Sequence, residues 1–222
     1  MQAIILAAGR GERMRPLTDT TPKPLLKAGG KSLIEYHINA LRAAGITDLV
    51  INHAHLGEQI EQALGDGARY QVHIQYSRES TAMETGGGIY QALTLLGDGP
   101  FLVVNGDIWT DYSFQDLPQI DPSVLAHLVL VDNPGHHGQG DFVLGSEGKL
   151  HYAGMPRKTY SGIGIYTPGF FAGCTPGKFP LLPLLKRTMD QGQVTGEYYR
   201  GGWIDVGTPQ RLAELDVFLR KA

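Results

Sequence analysis

Short, uninterrupted apolar runs constrain the fold of this chain more than any other feature of its sequence. The clearest are residues 3–8, 49–51 and 101–104, and segments with a helical spacing of apolar residues lie between them. Apolar runs without alternation are typical of parallel strands that helices cover on both faces. Strands and helices in alternation form right-handed β-α-β units. The sequence therefore predicts an α/β fold with a Rossmann-like, doubly wound mixed sheet.

Individual elements follow from local patterns. Ser32 and Glu35 have the spacing of a capping box, which predicts a helix that begins at Leu33 and ends near Gly45. Further helices are predicted over residues 57–64, 87–96 and 181–191 and from 209 onward. Further strands are predicted over residues 72–76, 124–131, 160–166 and 203–206, with a hairpin between 141 and 152.

The first apolar run ends in a turn that suits a polyphosphate. Gly9 and Gly11 allow backbone N–H groups to approach phosphate oxygens, and three arginines lie between residues 10 and 15. Lys23 follows between two prolines, which would fix the direction of its ammonium group. A solvated basic loop is the alternative interpretation, but it leaves the tight glycine pair unexplained.

Two better-known phosphate-binding motifs do not fit this turn. The dinucleotide fingerprint requires a third glycine where Met14 stands, and no acidic residue closes the second strand. The P-loop string does not occur in the sequence. We therefore expect neither a dehydrogenase nor a P-loop enzyme.

Two aspartates follow short apolar strands. Asp107 comes directly after residues 101–104; the Asn-Gly pair before it could form a hairpin turn, but residues 108–111 do not alternate as a partner strand would. Asp205 lies between glycines, and Thr208 is better placed than Asp205 to cap the last helix. Since Mg²⁺ takes one or two carboxylates together with phosphate and water, the pair is a candidate magnesium site.

Other features carry weaker signals. Three consecutive glycines, residues 86–88, open a predicted helix, and their cost to helix stability indicates a close backbone approach. His136 and His137 are interpreted as polar loop residues. No Ser-His-Asp set stands out.

Composition excludes several classes of function. The chain has 222 residues and a formal net charge of -3, so no global basic field would recruit nucleic acid. A single cysteine excludes an intramolecular disulfide. A membrane span needs about 18 consecutive apolar residues, and no apolar stretch in the sequence is that long. The first predicted strand begins almost at the first residue. We expect a cytoplasmic protein without a signal peptide or membrane partner.

Taken together, the motifs resemble those of the sugar-phosphate nucleotidyltransferase family. Residues 6–18 carry the pattern L-A-x-G-x-G-x-R-[LM]-x-P-L-T, and residues 22–25 carry P-K-P-L. The Gly-Asp motif at 106–107 and D-V-G-T-P at 205–209 follow in the family's order. One departure is that many relatives carry a Glu-Lys pair where this chain has residues 155–159.

The resemblance implies a role for individual residues. Arg13 and Lys23 would be the catalytic cations, and Asp107 and Asp205 would hold Mg²⁺. The implied sugar contacts are Asn105, Gly140 and Asp205. The implied nucleotide contacts are Ala8, Gly9, Gly11, Glu12, Arg13, Lys23, Glu79, Met83 and Thr85. Residues 1–110 would be the nucleotide-binding half and residues 111–222 the sugar-binding half with a small β extension or lid, within one domain.

The implied reaction joins two small molecules. An oxygen of a sugar 1-phosphate would attack the α-phosphorus of UTP and release pyrophosphate. The short form of this chain is most similar to members that use N-acetylmuramate 1-phosphate in peptidoglycan recycling. Guanylyl, thymidylyl or cytidylyl transfer to a heptose, hexose or choline phosphate is an alternative, and a non-catalytic regulatory subunit is another. The protein would be a monomer or a small homo-oligomer.

Overall fold

A seven-stranded sheet forms the centre of the structure, a computed structural model that describes residues 1–221. The strands are β1 (Gln2–Leu6), β2 (Lys27–Ala28), β3 (Lys31–Ser32), β4 (Asp48–His53), β5 (His73–Arg78), β6 (Phe101–Asn105), β7 (Ile108–Thr110), β8 (Ala126–Val131), β9 (Val143–Leu144), β10 (Leu150–His151), β11 (Thr159–Tyr166), β12 (Val194–Tyr198) and β13 (Trp203–Asp205). The α-helices are α1 (Leu33–Ala43), α2 (Gly57–Leu64), α3 (Glu84–Leu96), α4 (Leu182–Asp190) and α5 (Pro209–Lys221).

The strand order in this sheet is β12-β8-β11-β6-β1-β4-β5. Strands β6, β1, β4 and β5 are parallel, and β12 is parallel to β8. Strand β11 runs antiparallel to both of its neighbours, β6 and β8. The predicted α/β class with a Rossmann-like mixed sheet is confirmed, and the sheet is mostly parallel.

Helices cover both faces of the sheet. Apolar residues of α1 and α2 pack with Ile5 in one core, and those of α3 and α4 pack with Ile4 in the other. Consecutive residues of β1 therefore enter opposite cores, as the alternation of side chains along a strand requires. This explains why the run at residues 3–8 is apolar without interruption. Within residues 1–221, no α-helix has the length and apolar character needed to cross a membrane.

Several local predictions are confirmed. The capping box at the start of α1 is present, with the Ser32 backbone N–H donating to Glu35 Oε2 at 2.8 Å. The bounds of α2 are as predicted, and β9 and β10 form the predicted hairpin. Strand β12 was not predicted, because its central Gly196 and the polar residues beside it interrupt any apolar pattern.

The interpretation of residues 108–111 needs one correction. Residues 108–110 do form a strand, β7, but its partner is β13 rather than β6. A pattern read along the chain cannot detect a partner that lies so far away in sequence. Helix α5 packs against this two-stranded ribbon, and Met14 is fully buried in the same small core. Met14, which breaks the dinucleotide fingerprint, thus anchors the basic loop.

Candidate active site

Three cavities beyond the carboxyl ends of the parallel strands share Asp107 as a lining residue. We name them the central, loop and ribbon cavities. Of the predicted site residues other than Asp107, the central cavity is lined by Ala8, Gly9, Lys23, Glu79, Met83, Thr85 and Asn105. The loop cavity is lined by Gly9, Gly11, Glu12, Arg13 and Lys23. The ribbon cavity is lined by Arg13, Asn105 and Asp205.

The basic loop presents one of its three arginines to the cavities. Arg10 lies near Glu12 at 3.9 Å, and Arg15 pairs with Asp19 at 3.0 Å. Arg13 lines both the loop cavity and the ribbon cavity. Its guanidinium is therefore the one best placed to meet an anion that spans the two.

Gly11 gives the loop its shape. Its backbone is left-handed, with φ of 67°, and its carbonyl accepts a hydrogen bond from Thr18 Oγ1 at 2.8 Å. A Cβ atom here would lie 2.9 Å from the Thr18 side chain. The turn therefore requires glycine, both for its backbone angle and for the space.

Lys23 connects the basic loop to the end of β6. Lys23, which stands between Pro22 and Pro24 in the sequence, is buried, and its Nζ donates to Asp107 Oδ2 at 2.6 Å. A buried ammonium group needs such a partner, because desolvation would otherwise destabilise it. The pair fixes the position of one cation at the junction of all three cavities.

The β7–β13 ribbon brings Asp205 beside Asp107. Asp205 is opposite Ile108 in the ribbon, and the Val206 N–H donates to the Asp107 carbonyl at 2.9 Å. Both aspartates line the ribbon cavity. Two carboxylates that the sequence places far apart thus meet in the fold.

Asp205 has two further partners that sequence reasoning missed. Its Oδ2 accepts a hydrogen bond from Arg211 Nη1 at 2.6 Å, and His136 Nε2, which lies 3.2 Å from the same oxygen, is 2.8 Å from Arg211 Nη1. Arg211 belongs to the first turn of α5, where Thr208 caps the helix by accepting from the Arg211 N–H at 3.3 Å. His136 and its neighbour His137 line the ribbon cavity. Their position in a Pro/Gly loop did not indicate this role in the sequence.

The donor set fits Mg²⁺. The hydrogen bonds from Lys23 to Asp107 and from Arg211 to Asp205 both go to Oδ2 of the carboxylate. In the described part of the chain, no group of three or more His, Cys, Asp and Glu side chains could hold an ion. Two carboxylates, with phosphate oxygens and water, are the set that Mg²⁺ prefers, whereas a thiolate or imidazole set would favour another metal.

A buried polar network forms one wall of the central cavity. Asn52 Oδ1 accepts from the Ala7 N–H at 2.9 Å, and Asn52 Nδ2 donates to Glu79 Oε1 at 2.7 Å. Glu79 Oε2 accepts from the Met83 N–H at 2.8 Å. Glu79 thereby ties the Met83 segment to β4. The missed member, Asn52, stands at the carboxyl end of an apolar strand, and that position was its only signal.

The glycine triplet makes the close approach that the sequence indicates. A Cβ atom on Gly88 would lie 2.6 Å from Glu79 Oε1 and 2.8 Å from Asn52 Nδ2. A Cβ atom on Gly87 would lie 2.3 Å from the Gly177 carbonyl oxygen. The groups that come close are the chain's own, so the triplet serves to pack α3 against the site.

The predicted sugar contacts have different positions. Asn105 lines both the central and ribbon cavities, and a β-bulge at Gly162 makes room for it, since a Cβ atom there would lie 2.6 Å from Asn105. Gly140 is buried in a left-handed turn beside Asn133 and stands outside the lining of the three cavities. Its role in binding sugar stays a prediction.

His37 supports the ribbon from α1. Its Nε2 hydrogen-bonds to the Ile108 carbonyl at 2.9 Å. Burial lowers the pKa of His37 from its ordinary 6.5 to about 4, because the interior disfavours the charged form. The imidazole is therefore neutral near pH 7, and its N–H holds the residue next to Asp107.

The nucleotidyl transferase family matches residues 2–120, more than half of the chain. The chain belongs to this family.

Two relatives are similar to the chain in sequence, and one solved structure is similar to it in fold. It is 53% identical over 222 residues to the N-acetylmuramate alpha-1-phosphate uridylyltransferase of Neisseria meningitidis serogroup B, with 96% of each chain covered. It is 35% identical over 236 residues to the protein of the same name from Caulobacter vibrioides, covering 99% of this chain and 97% of the other. The crystal structure of HddC from Yersinia pseudotuberculosis complexed with GMP-PN has the same fold, with a TM-score of 0.82, 18% identity and 98% of each chain covered.

Proposed function

We propose that the protein transfers a uridylyl group from UTP to N-acetylmuramate 1-phosphate and releases pyrophosphate, a reaction of peptidoglycan recycling in the cytoplasm. One observation carries the proposal: Asp107, held by Lys23, lies at the junction of three cavities that suit a base, a triphosphate and a sugar phosphate. The 53% identity to a relative named for this reaction supports the choice of substrates.

We assign the two substrates to the three cavities and to the two halves of the chain. Residues 1–110 would bind the nucleotide, with its base in the central cavity and its triphosphate in the loop cavity. The proposed nucleotide contacts are Ala8, Gly9, Gly11, Glu12, Arg13, Lys23, Glu79, Met83 and Thr85. Residues 111–222 would supply most of the sugar site and a lid, and the proposed sugar contacts are Asn105, Gly140 and Asp205.

The chemistry requires alignment more than acid-base catalysis. A phosphate monoester is a nucleophile at neutral pH, so its oxygen can attack the α-phosphorus without a general base. A new P–O bond forms as the bond to the bridging oxygen of pyrophosphate breaks. Arg13 and Lys23 would neutralise the charge on the phosphates, and Asp107 fixes the direction of the Lys23 ammonium group. Mg²⁺ held by Asp107 and Asp205 would supply further charge neutralisation at phosphate oxygens.

The substitution Asp107→Asn tests this arrangement. It keeps the shape of the side chain but removes the charge that pairs with Lys23 and would hold Mg²⁺, so turnover should fall by at least about 100-fold. Pyrophosphate release from UTP and N-acetylmuramate 1-phosphate is the measurement. Asp98→Asn, an equal change at an exposed site away from the cavities, should retain full activity. Wild-type turnover in Asp107→Asn would contradict the assignment.

A substrate matrix tests the choice of base and sugar. UTP, GTP, CTP and dTTP are each combined with N-acetylmuramate, glucose, mannose and heptose 1-phosphates and with phosphocholine. We expect the UTP and N-acetylmuramate 1-phosphate pair to have the highest kcat/KM. Preference for GTP with mannose or heptose 1-phosphate would replace the proposal with guanylyl transfer. Pyrophosphate release from none of the pairs would favour a regulatory subunit.

A further inference from the structure

Glu84, the first residue of α3, has a backbone conformation that its side chain disfavours. Its φ is +60°, in the left-handed region. Among the described residues, only two other non-glycine positions, Leu56 and Gln71, have a positive φ. The left-handed region is costly for residues with a Cβ atom, and glycine adopts it freely. A glutamate at such a position therefore needs a compensating reason.

The position of Glu84 between two cavities supplies such a reason. Glu84 lines the central cavity, and it also lines a fourth, lateral cavity on the side of α4. The lateral cavity shares Asn105 with the central cavity and is further lined by Asp141 and Tyr160. Glu84 thus forms part of the wall between the space proposed for the nucleotide and a space next to the proposed sugar contacts.

Packing and ion pairing do not explain the glutamate. Its side chain is 43% exposed, and its ion-pair partner is Lys178 at 3.7 Å, which is 66% exposed. An exposed pair of this length contributes little to stability. Glycine occupies positions 86–88, where close packing requires it, but position 84 holds a glutamate. Backbone strain that packing does not explain is typical of functional positions.

We propose that Glu84 is a specificity-determining residue whose carboxylate accepts hydrogen bonds from hydroxyl groups of a bound substrate. The inference rests on the proposed function. An ionised carboxylate only accepts hydrogen bonds and repels phosphate, so its partner is a neutral donor. Its two oxygens suit a pair of adjacent hydroxyls, which occurs in the ribose of UTP, whereas the pyranose of N-acetylmuramate 1-phosphate offers separate hydroxyls at C4 and C6.

Two substitutions and one matched control test the role. Glu84→Gly relieves the backbone strain and removes the carboxylate, and Glu84→Gln keeps the length but weakens the acceptor. We expect Glu84→Gly to retain or raise the melting temperature while weakening substrate binding by at least about tenfold, with a smaller loss for Glu84→Gln. Gln71→Gly changes the same kind of backbone position outside the cavities, and substrate binding should stay as in the wild type.

Separate measurements identify which hydroxyls Glu84 contacts. Calorimetry gives the Kd of UTP, 2′-deoxy-UTP and N-acetylmuramate 1-phosphate for each variant, and steady-state kinetics give the two KM values. Weaker binding of UTP, with little change for 2′-deoxy-UTP, assigns Glu84 to the ribose. Weaker binding of the sugar phosphate assigns it to the pyranose. Either result supports the proposal.

Unchanged Kd and KM values for all three compounds in both Glu84 variants would overturn it. A failure of the proposed function gives a different result, since the wild type itself would then release no pyrophosphate from UTP and N-acetylmuramate 1-phosphate.

Discussion

Glu79 illustrates how a single residue shapes the site. It is a buried carboxylate with 6% of its surface exposed, and its hydrogen bonds come from the Asn52 amide and the Met83 N–H. A buried charge is tolerated only when hydrogen bonds replace its hydration. Glu79 therefore holds the Met83 segment in place, and its neighbour Gly88 must be small enough to leave it there.

The substitution Gly88→Ala should disturb this network. The added methyl group would lie 2.6 Å from Glu79 Oε1 and 2.8 Å from Asn52 Nδ2. Hydrogen bonds from backbone N–H groups hold both of these side chains in place. We expect a loss of about 1–3 kcal/mol in the free energy of unfolding, together with a raised KM for UTP. Urea unfolding and steady-state kinetics measure the two effects. Gly99→Ala, where a Cβ atom meets nothing within 4 Å, is the control, and equal behaviour of the two variants would refute the argument.

At the residue scale, the sequence predicted the site residues that belong to local motifs. Lys23 and Asp107 were both predicted as site residues, and the structure brings them within 2.6 Å of each other. Arg211 was not predicted although its partner Asp205 lies only six residues before it. Asn52 and His136 were not predicted, because each acts through a contact with a distant part of the chain. Such a contact leaves no spacing or periodicity that can be read along one sequence.

At the element scale, the β7–β13 ribbon matters most. Three residues on each side pair to place Asp107 and Asp205 together, although neither strand is part of the main sheet. The indole N–H of Trp203 donates to the Ser161 carbonyl at 2.9 Å and so ties the ribbon to β11. Short strands with distant partners are the elements that sequence patterns reveal least, which is why β7 was misread and β12 was missed.

The substitution Trp203→Phe tests the link between the ribbon and β11. It removes the indole N–H and leaves the Ser161 carbonyl without this donor, which should cost about 1 kcal/mol of the free energy of unfolding. Because Asp205 lies two residues further along the same strand, kcat should fall as well. Thermal unfolding and pyrophosphate release are measured in parallel. A similar aromatic substitution away from the ribbon, Tyr152→Phe, should leave kcat unchanged, and a wild-type kcat in Trp203→Phe would show that the tie is unimportant.

At the scale of the whole molecule, the two halves of the chain form one sheet. The first half of the chain supplies β1, β4, β5 and β6, and the second half adds β8, β11 and β12 to the same sheet. The apolar runs predicted this architecture, since buried parallel strands have a strong compositional signature. The reversed direction of β11 could not be predicted, because the residues of a buried strand carry no record of which way it runs.

Acid should destabilise the whole molecule through His37. Its pKa is about 4 in the folded protein and 6.5 ordinarily, so between these values the unfolded chain binds a proton that the folded chain does not. The contribution of His37 to the free energy of unfolding is therefore fully present above pH 6.5 and decreases as the pH falls toward 4. The shift corresponds to about 3 kcal/mol of the free energy of unfolding. Urea unfolding at a series of pH values measures this loss.

The substitution His37→Gln provides the comparison. Its amide can still donate to the Ile108 carbonyl but does not titrate, so the slope between pH 6.5 and 4 should become shallower. Part of the slope should remain, because burial also lowers the pKa of His127. An equal slope in the variant and the wild type would assign the acid sensitivity to other groups.

The single reversed strand has a consequence for how such an enzyme can be re-engineered. Because β11 runs backward, its first residues meet the end of β8 at the edge that carries the cavities, so one continuous stretch, residues 132–162, supplies a large part of the lining of the ribbon cavity, the space proposed for the sugar phosphate. The proposed nucleotide contacts belong to earlier stretches, around residues 6–27 and 79–88, which line the central and loop cavities. A mutant library confined to the 132–162 cassette would thus sample new acceptors while both aspartates and the whole donor site keep their wild-type codons.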